Sequence, residues 1–178
     1  MELRAGQFAL RELTVDDWPI EQALSHDPDV ARWTHYPPDL DETQTKRRLE
    51  AYLVRAAEGL LQRFVVLDGA RSLGTCGAGR LQSDTPEVFY AIDRSARGRG
   101  AATQAVRALC AWLAECGFDE VALETIEGNA DSERVAQRCD FQVVSSRTDQ
   151  HRGEQVTLHR WIWKVPAWPA LHETRLVP

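Results

Sequence analysis

Ile92-Asp-Arg-Ser-Ala-Arg-Gly-Arg-Gly-Ala-Ala-Thr-Gln-Ala-Val-Arg107 leaves a strand-like segment, Val88-Phe-Tyr-Ala-Ile92, and enters a helix-like one that begins at Ala101. Two glycines, Gly98 and Gly100, stand one residue apart in the turn, with Arg94, Arg97 and Arg99 around them. A turn of this kind lines up several backbone N–H groups at the start of a helix. The first turn of a helix has no internal acceptors for those groups, and the helix dipole adds positive charge at the same end. The stretch therefore reads as an anion site, with a phosphorylated cofactor as its natural occupant.

The rest of the chain sets the frame. Its 178 residues, 43% of them hydrophobic, fit a single domain spanning 1–178. The core is expected over about residues 7–164, with 165–178 as an extended C-terminal tail. No apolar run is long enough for a transmembrane helix, and Met1-Glu-Leu-Arg-Ala-Gly lacks the pattern of a signal peptide. A cytoplasmic location is expected. The net charge of −6 argues against a nucleic-acid binder. Cys76, Cys110, Cys116 and Cys139 form no Cys-x-x-Cys pair and read mainly as buried small hydrophobes in a reducing compartment. The five histidines show no ligand spacing, so no metal site is expected.

Hydrophobic periodicity orders the elements. Gln7–Leu13 alternates as a first strand, and Thr14–Ser25 and Asp41–Glu58 read as helices, with His26–Pro38 irregular between them. Arg63–Leu67 and Leu73–Leu81 form a hairpin around Asp68-Gly69, and Val88–Ile92 is a fourth strand. The helix Ala101–Cys116, the strand Val121–Ile126 and the helix Asp131–Cys139 follow. Phe141–Ser145 and Gln155–Trp163 close the chain as a second hairpin. The pattern predicts an α/β (α+β) fold, a mixed and mostly antiparallel sheet of about seven strands with about four helices.

Three phosphate sites compete for the glycine turn. A P-loop needs Gly-x-x-x-x-Gly-Lys-Ser/Thr, and this turn has no lysine. A dinucleotide fingerprint needs a third glycine, where Thr103 stands, and a position after the first strand of the fold. The third reading, Arg97-x-x-Gly100-x-Ala102, matches the Arg/Gln-x-x-Gly-x-Gly/Ala pyrophosphate loop of the GNAT N-acetyltransferases. Downstream, Asn129-x-x-Ser132-x-x-Val135-Ala136-x-x-Cys139-Asp140-Phe141 resembles the Asn-x-x-Ser-x-x-Val-Ala-x-x-x-Gly-Phe segment of that family's RimJ/RimL-like branch. Upstream, Val30-Ala-Arg-Trp-Thr-His-Tyr-Pro-Pro38 looks like the branch's substrate loop. The resemblance runs from about Phe8 to Lys164. Asp140 stands where a glycine is usual, a place that often needs a left-handed backbone, which aspartate tolerates.

The resemblance implies a GNAT-like sheet splayed between the fourth and fifth predicted strands, and acetyl-coenzyme A as cofactor. The amides of Arg97, Gly98, Arg99, Gly100, Ala101, Ala102 and Thr103 would cradle its pyrophosphate, the amides weighing more than the guanidinium groups. The pantetheine arm would pair with the strand near Ala91 and Ile92, an N–H there serving as oxyanion donor. Asn129 would bond the arm, cap the following helix, or do both. Ser132 would protonate the departing thiolate, or bond the local backbone instead.

Attack on a thioester requires a neutral amine, so a base is expected, directly or through water. Glu87 and Glu124 are the candidates, Glu87 first. Trp33, His35, Tyr36 and Phe89 are expected to shape the acceptor pocket, Phe89 alternatively being a core aromatic. Four further tryptophans, Trp18, Trp161, Trp163 and Trp168, read as pocket or core residues. The implied reaction is direct acetyl transfer to a primary amine, of a protein N-terminus or of a small molecule. A non-catalytic acyl-CoA sensor and a dinucleotide-dependent enzyme stand as alternatives. No nucleic-acid or membrane partner is expected, and apolar residues in the tail are compatible with a homodimer.

Overall fold

A computed structural model describes residues 1–166. An eight-stranded sheet runs in the order β1-β2-β3-β4-β5-β6-β8-β7. Its strands are β1 (Glu2–Ala5), β2 (Phe8–Glu12), β3 (Leu61–Asp68), β4 (Arg71–Gly79), β5 (Glu87–Ile92), β6 (Glu120–Ile126), β7 (Gln142–His151) and β8 (Glu154–Lys164). The helices are α1 (Trp18–Ser25), α2 (Pro28–Trp33), α3 (Glu42–Ala57), α4 (Ala101–Glu115) and α5 (Ala130–Arg138). Neighbouring strands are antiparallel except β5 and β6.

The mixed, mostly antiparallel sheet is the expected one, with two additions. Glu2–Ala5 is an edge strand paired with β2, and Pro28–Trp33, read as irregular, is a short helix. Asp27 starts that helix by accepting from the Asp29 amide at 2.9 Å, and Pro28 fits its first turn. Both additions are too short for periodicity to register. The final hairpin is also longer than expected, because the outer residues of β7 bury no face and carry no alternating signal.

Each sheet face carries its own helices. Val106, Leu109 and Leu113 of α4 pack with Phe64, Val88 and Phe141 in the main core. Leu49 of α3 joins Leu13 and Val65 on the opposite face. Side chains alternate along β5. Val88 and Ile92 enter the main core with Tyr90 packed against it, which leaves Glu87, Phe89 and Ala91 for the α3 face. Trp161 is core, its indole N–H donating to Thr125 at 2.9 Å, and Trp163 packs against the same cluster. Trp18 packs beside Leu49, and Trp168 with most of the tail lies outside the described residues. Cys76, Cys110 and Cys139 are buried as expected, and Cys116 is exposed. Asp140 has φ +63°, the left-handed backbone anticipated at that position.

Candidate active site

The sheet opens in the middle. β5 and β6 share one paired position, Glu87 opposite Ala122, braced by the Ala122 amide donating to the Pro86 carbonyl at 2.8 Å. Past it the strands part, because β6 stays paired with β8 along its whole length while β5 follows β4. The gap leaves the β6-facing backbone edge of β5 without a strand partner. This is the splay expected between Val88–Ile92 and Val121–Ile126.

The glycine turn stands at the mouth of the gap. Gly98 and Gly100 have φ of +76° and +83°, a left-handed backbone that disfavours a side chain. Gly100 is the N-cap of α4 and contributes no side-chain acceptor, so the first-turn amides keep their hydrogen-bonding capacity for another group. A Cβ placed on either glycine would meet no atom within 4 Å. The turn is therefore an open concavity lined by N–H donors at the positive end of a 15-residue helix. These residues fit a pyrophosphate.

Two arginines of the turn, Arg97 and Arg99, are already engaged. Arg97 donates to Asp27 at 2.5 Å, to Asp29 at 3.0 Å and to the Ile92 carbonyl at 3.1 Å. Arg99 pairs with Asp68 at 3.0 Å. Their side chains fasten the turn, which favours the amides as the anion ligands.

One cavity of about 990 Å³ runs from this turn through the gap to α2 and α3. Its lining contains every sequence-predicted site residue except Arg99, which lies on the exposed outer side of the turn. Asn129 caps α5, its carbonyl oxygen accepting from the Ser132 amide at 3.2 Å. The half-buried Ser132 side chain faces the buried Tyr90 hydroxyl, which lacks a completed hydrogen bond. Burial raises the Tyr90 phenol well above its usual range, so Tyr90 remains protonated.

Glu87 and Glu124 both line the cavity, and their surroundings separate them. Arg147 grips Glu124 through two bonds of 2.5 and 2.9 Å, with Arg160 at 3.4 Å. Those hydrogen bonds hold the Glu124 carboxyl below its ordinary range. Among the described residues Glu87 has only distant cations, Arg80 and Arg160, each at 3.9 Å. Burial, with the Glu124 charge second, raises its carboxyl above the ordinary value. The arginine contacts favour the charged form of Glu124, and burial disfavours the charged form of Glu87.

At the far end of the cavity Tyr36 is buried and donates to Glu21, which also receives Arg63 at 2.7 Å. Tyr36 thus supports the pocket from below, whereas Trp33 and His35 line it from the α2 side. Phe89 lines the pocket with its ring 5.4 Å from the Arg63 guanidinium carbon. Sequence reading missed His151, Arg48 and Arg63. His151 is buried at the tip of the last hairpin, in edge contact with His35 at 5.2 Å. Arg152 fixes that tip by donating to the carbonyls of Ala31, at 2.5 Å, and Tyr36. The only sequence signal for this cluster is the spacing Arg48, Tyr52, Arg55 along one face of α3.

Fold and site together define an acetyltransferase of the coenzyme A-binding kind. The family described as Acetyltransferase (GNAT) domain matches residues 7–142, and the chain belongs to that family. It is an N-acetyltransferase whose cofactor is acetyl-coenzyme A. A similar curated protein is the uncharacterized N-acetyltransferase p20 of Bacillus licheniformis, 25% identical over 137 residues and covering 75% of each chain. Among solved structures the fold resembles RimL, the ribosomal L7/L12 alpha-N-protein acetyltransferase in complex with coenzyme A. That match has a TM-score of 0.86 at 14% identity, covering 93% of this chain and 98% of that one. It also resembles spermidine N-acetyltransferase from Vibrio cholerae in complex with coenzyme A and spermine, with a TM-score of 0.77 at 17% identity, covering 89% and 95%. No helix among the described residues is long and apolar enough to cross a membrane.

Proposed function

We propose that the protein transfers acetyl directly to a primary amine bound between α2, α3 and β5, with Glu87 as base and Ser132 as acid. The observation that carries this reading is the single cavity joining the amide-lined turn at Gly98–Thr103 to Glu87 through the β5–β6 gap. Acetyl-coenzyme A, when bound, supplies an activated thioester carbonyl. The amides of the turn and of the first turn of α4 hold the pyrophosphate, and the free edge of β5 near Ala91 and Ile92 takes the arm. An N–H of that edge stabilises the carbonyl oxygen as it gains negative charge. Glu87 accepts the proton the amine must lose, directly or through water. The Ser132 hydroxyl, facing the protonated Tyr90, donates to the departing sulfur. Asn129 orients α5 so that this hydroxyl lies toward the gap.

The acceptor is a peptide N-terminus or a small-molecule amine, the two kinds named for the RimL and spermidine acetyltransferases. Isothermal calorimetry with acetyl-coenzyme A, followed by thiol release across an amine panel, tests the reading. Micromolar binding and amine-dependent thiol release are expected. Binding without transfer to any amine would point to a sensor of acyl-coenzyme A instead.

A further inference from the structure

We infer that the acceptor amine belongs to a molecule that also carries an anionic group, carboxylate or phosphate, held by Arg48 and Arg55 on α3. The inference rests on the transferase reading above and deepens it. Arg48, Tyr52 and Arg55 lie three and four residues apart on one face of α3, and all three line the cavity. The Arg48 guanidinium stands over two aromatic faces, Tyr36 at 4.6 Å and Tyr52 at 4.8 Å. Stacking fixes its plane and leaves the N–H edge for a planar or tetrahedral anion.

Charge accounting separates this pair from the other arginines of the cavity. Arg63 has Glu21, Arg97 has Asp27 and Asp29, Arg134 has Asp131, and Arg80 has Glu87. Among the described residues no carboxylate lies within ion-pair distance of Arg48 or Arg55, and the buried Nε of Arg48 has no hydrogen-bond partner. Arg138, likewise without a carboxylate, lies on α5 beside α4, on the cofactor side. Arg48 is half-buried and Arg55 exposed, so two guanidinium groups line the cavity with no carboxylate beside them, and an anionic occupant would supply acceptor atoms to both.

A second observation points to the same occupant. His151 is 7% exposed, lines this end of the cavity, and has no partner for either ring nitrogen among the described residues. It contacts His35, the residue before Tyr36, whose ring lies under Arg48. Glu87 receives the amine at the gap, while the arginine-lined end receives the opposite charge. This arrangement selects zwitterionic acceptors and disfavours polycationic ones.

The test uses matched pairs that differ in one charge: Ser-Asp-amide against Ser-Asn-amide, and tyrosine against tyrosine amide, with spermidine as the polycation. The first pair represents a peptide N-terminus and the second a free amino acid, so the pair that shows the effect identifies the source. The acid member is expected to have about tenfold or higher kcat/KM. Arg48→Met and Arg55→Met are expected to raise its KM toward that of the neutral member, with the smaller effect on kcat. Arg55 is exposed, so its replacement leaves folding out of the comparison. Equal use of both members, preference for spermidine, or a preference that survives both substitutions overturns the inference. So does failure of both acid members to bind the protein loaded with coenzyme A. Absence of acetyl-coenzyme A binding in the same calorimeter overturns the transferase reading itself. Acetyl-coenzyme A binding with indifferent acceptor choice overturns only the anion assignment.

Discussion

Arg97 donates to the carboxylate of Asp27 at 2.5 Å and so ties the pyrophosphate turn to the N-cap of α2. Asp27 is 8% exposed, and it also anchors the Asp29 amide that starts the helix. The bond joins the two halves of the cavity, because Trp33 ends that helix and His35 lies two residues beyond it. Acceptor geometry and cofactor geometry are thus held by one side chain.

Arg97→Met should therefore act mainly on the acceptor. Leaving the buried Asp27 carboxylate without its cation costs about 1–3 kcal/mol of stability, read as a lowered Tm. The acceptor KM should rise severalfold. Acetyl-coenzyme A affinity, measured by calorimetry, should change little, since the proposed phosphate contacts are made by the amides. A loss of tenfold or more in that affinity would assign the guanidinium to the phosphates instead.

Glu87→Gln should lower kcat by roughly 10²–10⁴ and remove the acid limb of the pH profile. The sign follows from the environment. Burial and the Glu124 charge raise the Glu87 carboxyl, so it is charged above a pKa higher than the ordinary carboxylate value. Wild-type activity should fall as the pH drops through that raised value, rather than near 4.5. The charged form is disfavoured by the fold, so the glutamine variant should melt no lower than wild type at neutral pH. Glu124→Gln should keep an acid limb but move it to lower pH, because it removes the charge that adds to burial in raising Glu87.

Ser132→Ala should reduce kcat while acetyl-coenzyme A affinity stays within about twofold, because the Asn129 cap accepts from the Ser132 amide and survives the change. Single-turnover thiol release separates this from slower product release. An unchanged chemical rate would remove Ser132 from the reaction. Tyr90→Phe is the companion variant, since its hydroxyl is the group facing Ser132.

Gly100→Ala should weaken the cofactor more than the fold. The left-handed backbone at φ +83° costs an alanine about 1–2 kcal/mol. Its methyl group enters the empty concavity, where nothing within 4 Å opposes it until a phosphate arrives. Calorimetry should show a larger loss in acetyl-coenzyme A binding free energy than in unfolding free energy. Equal losses would mean that the glycine serves only the turn.

The sequence by itself determined the parts whose physics is local. A strand, a turn of two glycines and an uncapped helix N-terminus are all specified within 88–107, since left-handed backbone and orphan amides depend on neighbouring residues alone. Asn129 and Ser132 were legible for the same reason, being a cap and its first helical turn. The tertiary structure separated the two carboxylates, because Arg147 reaches Glu124 from 23 residues away while the ion-pair cations of Glu87 among the described residues stand at 3.9 Å. It also decided that Arg97 binds acids 68 and 70 residues distant, and it brought His151 beneath α2 and Arg48 onto Tyr36. Charge and burial at these sites are sums over elements far apart in the chain. No spacing along the sequence encodes such sums, so the donor site could be read from residues while the acceptor site required the fold.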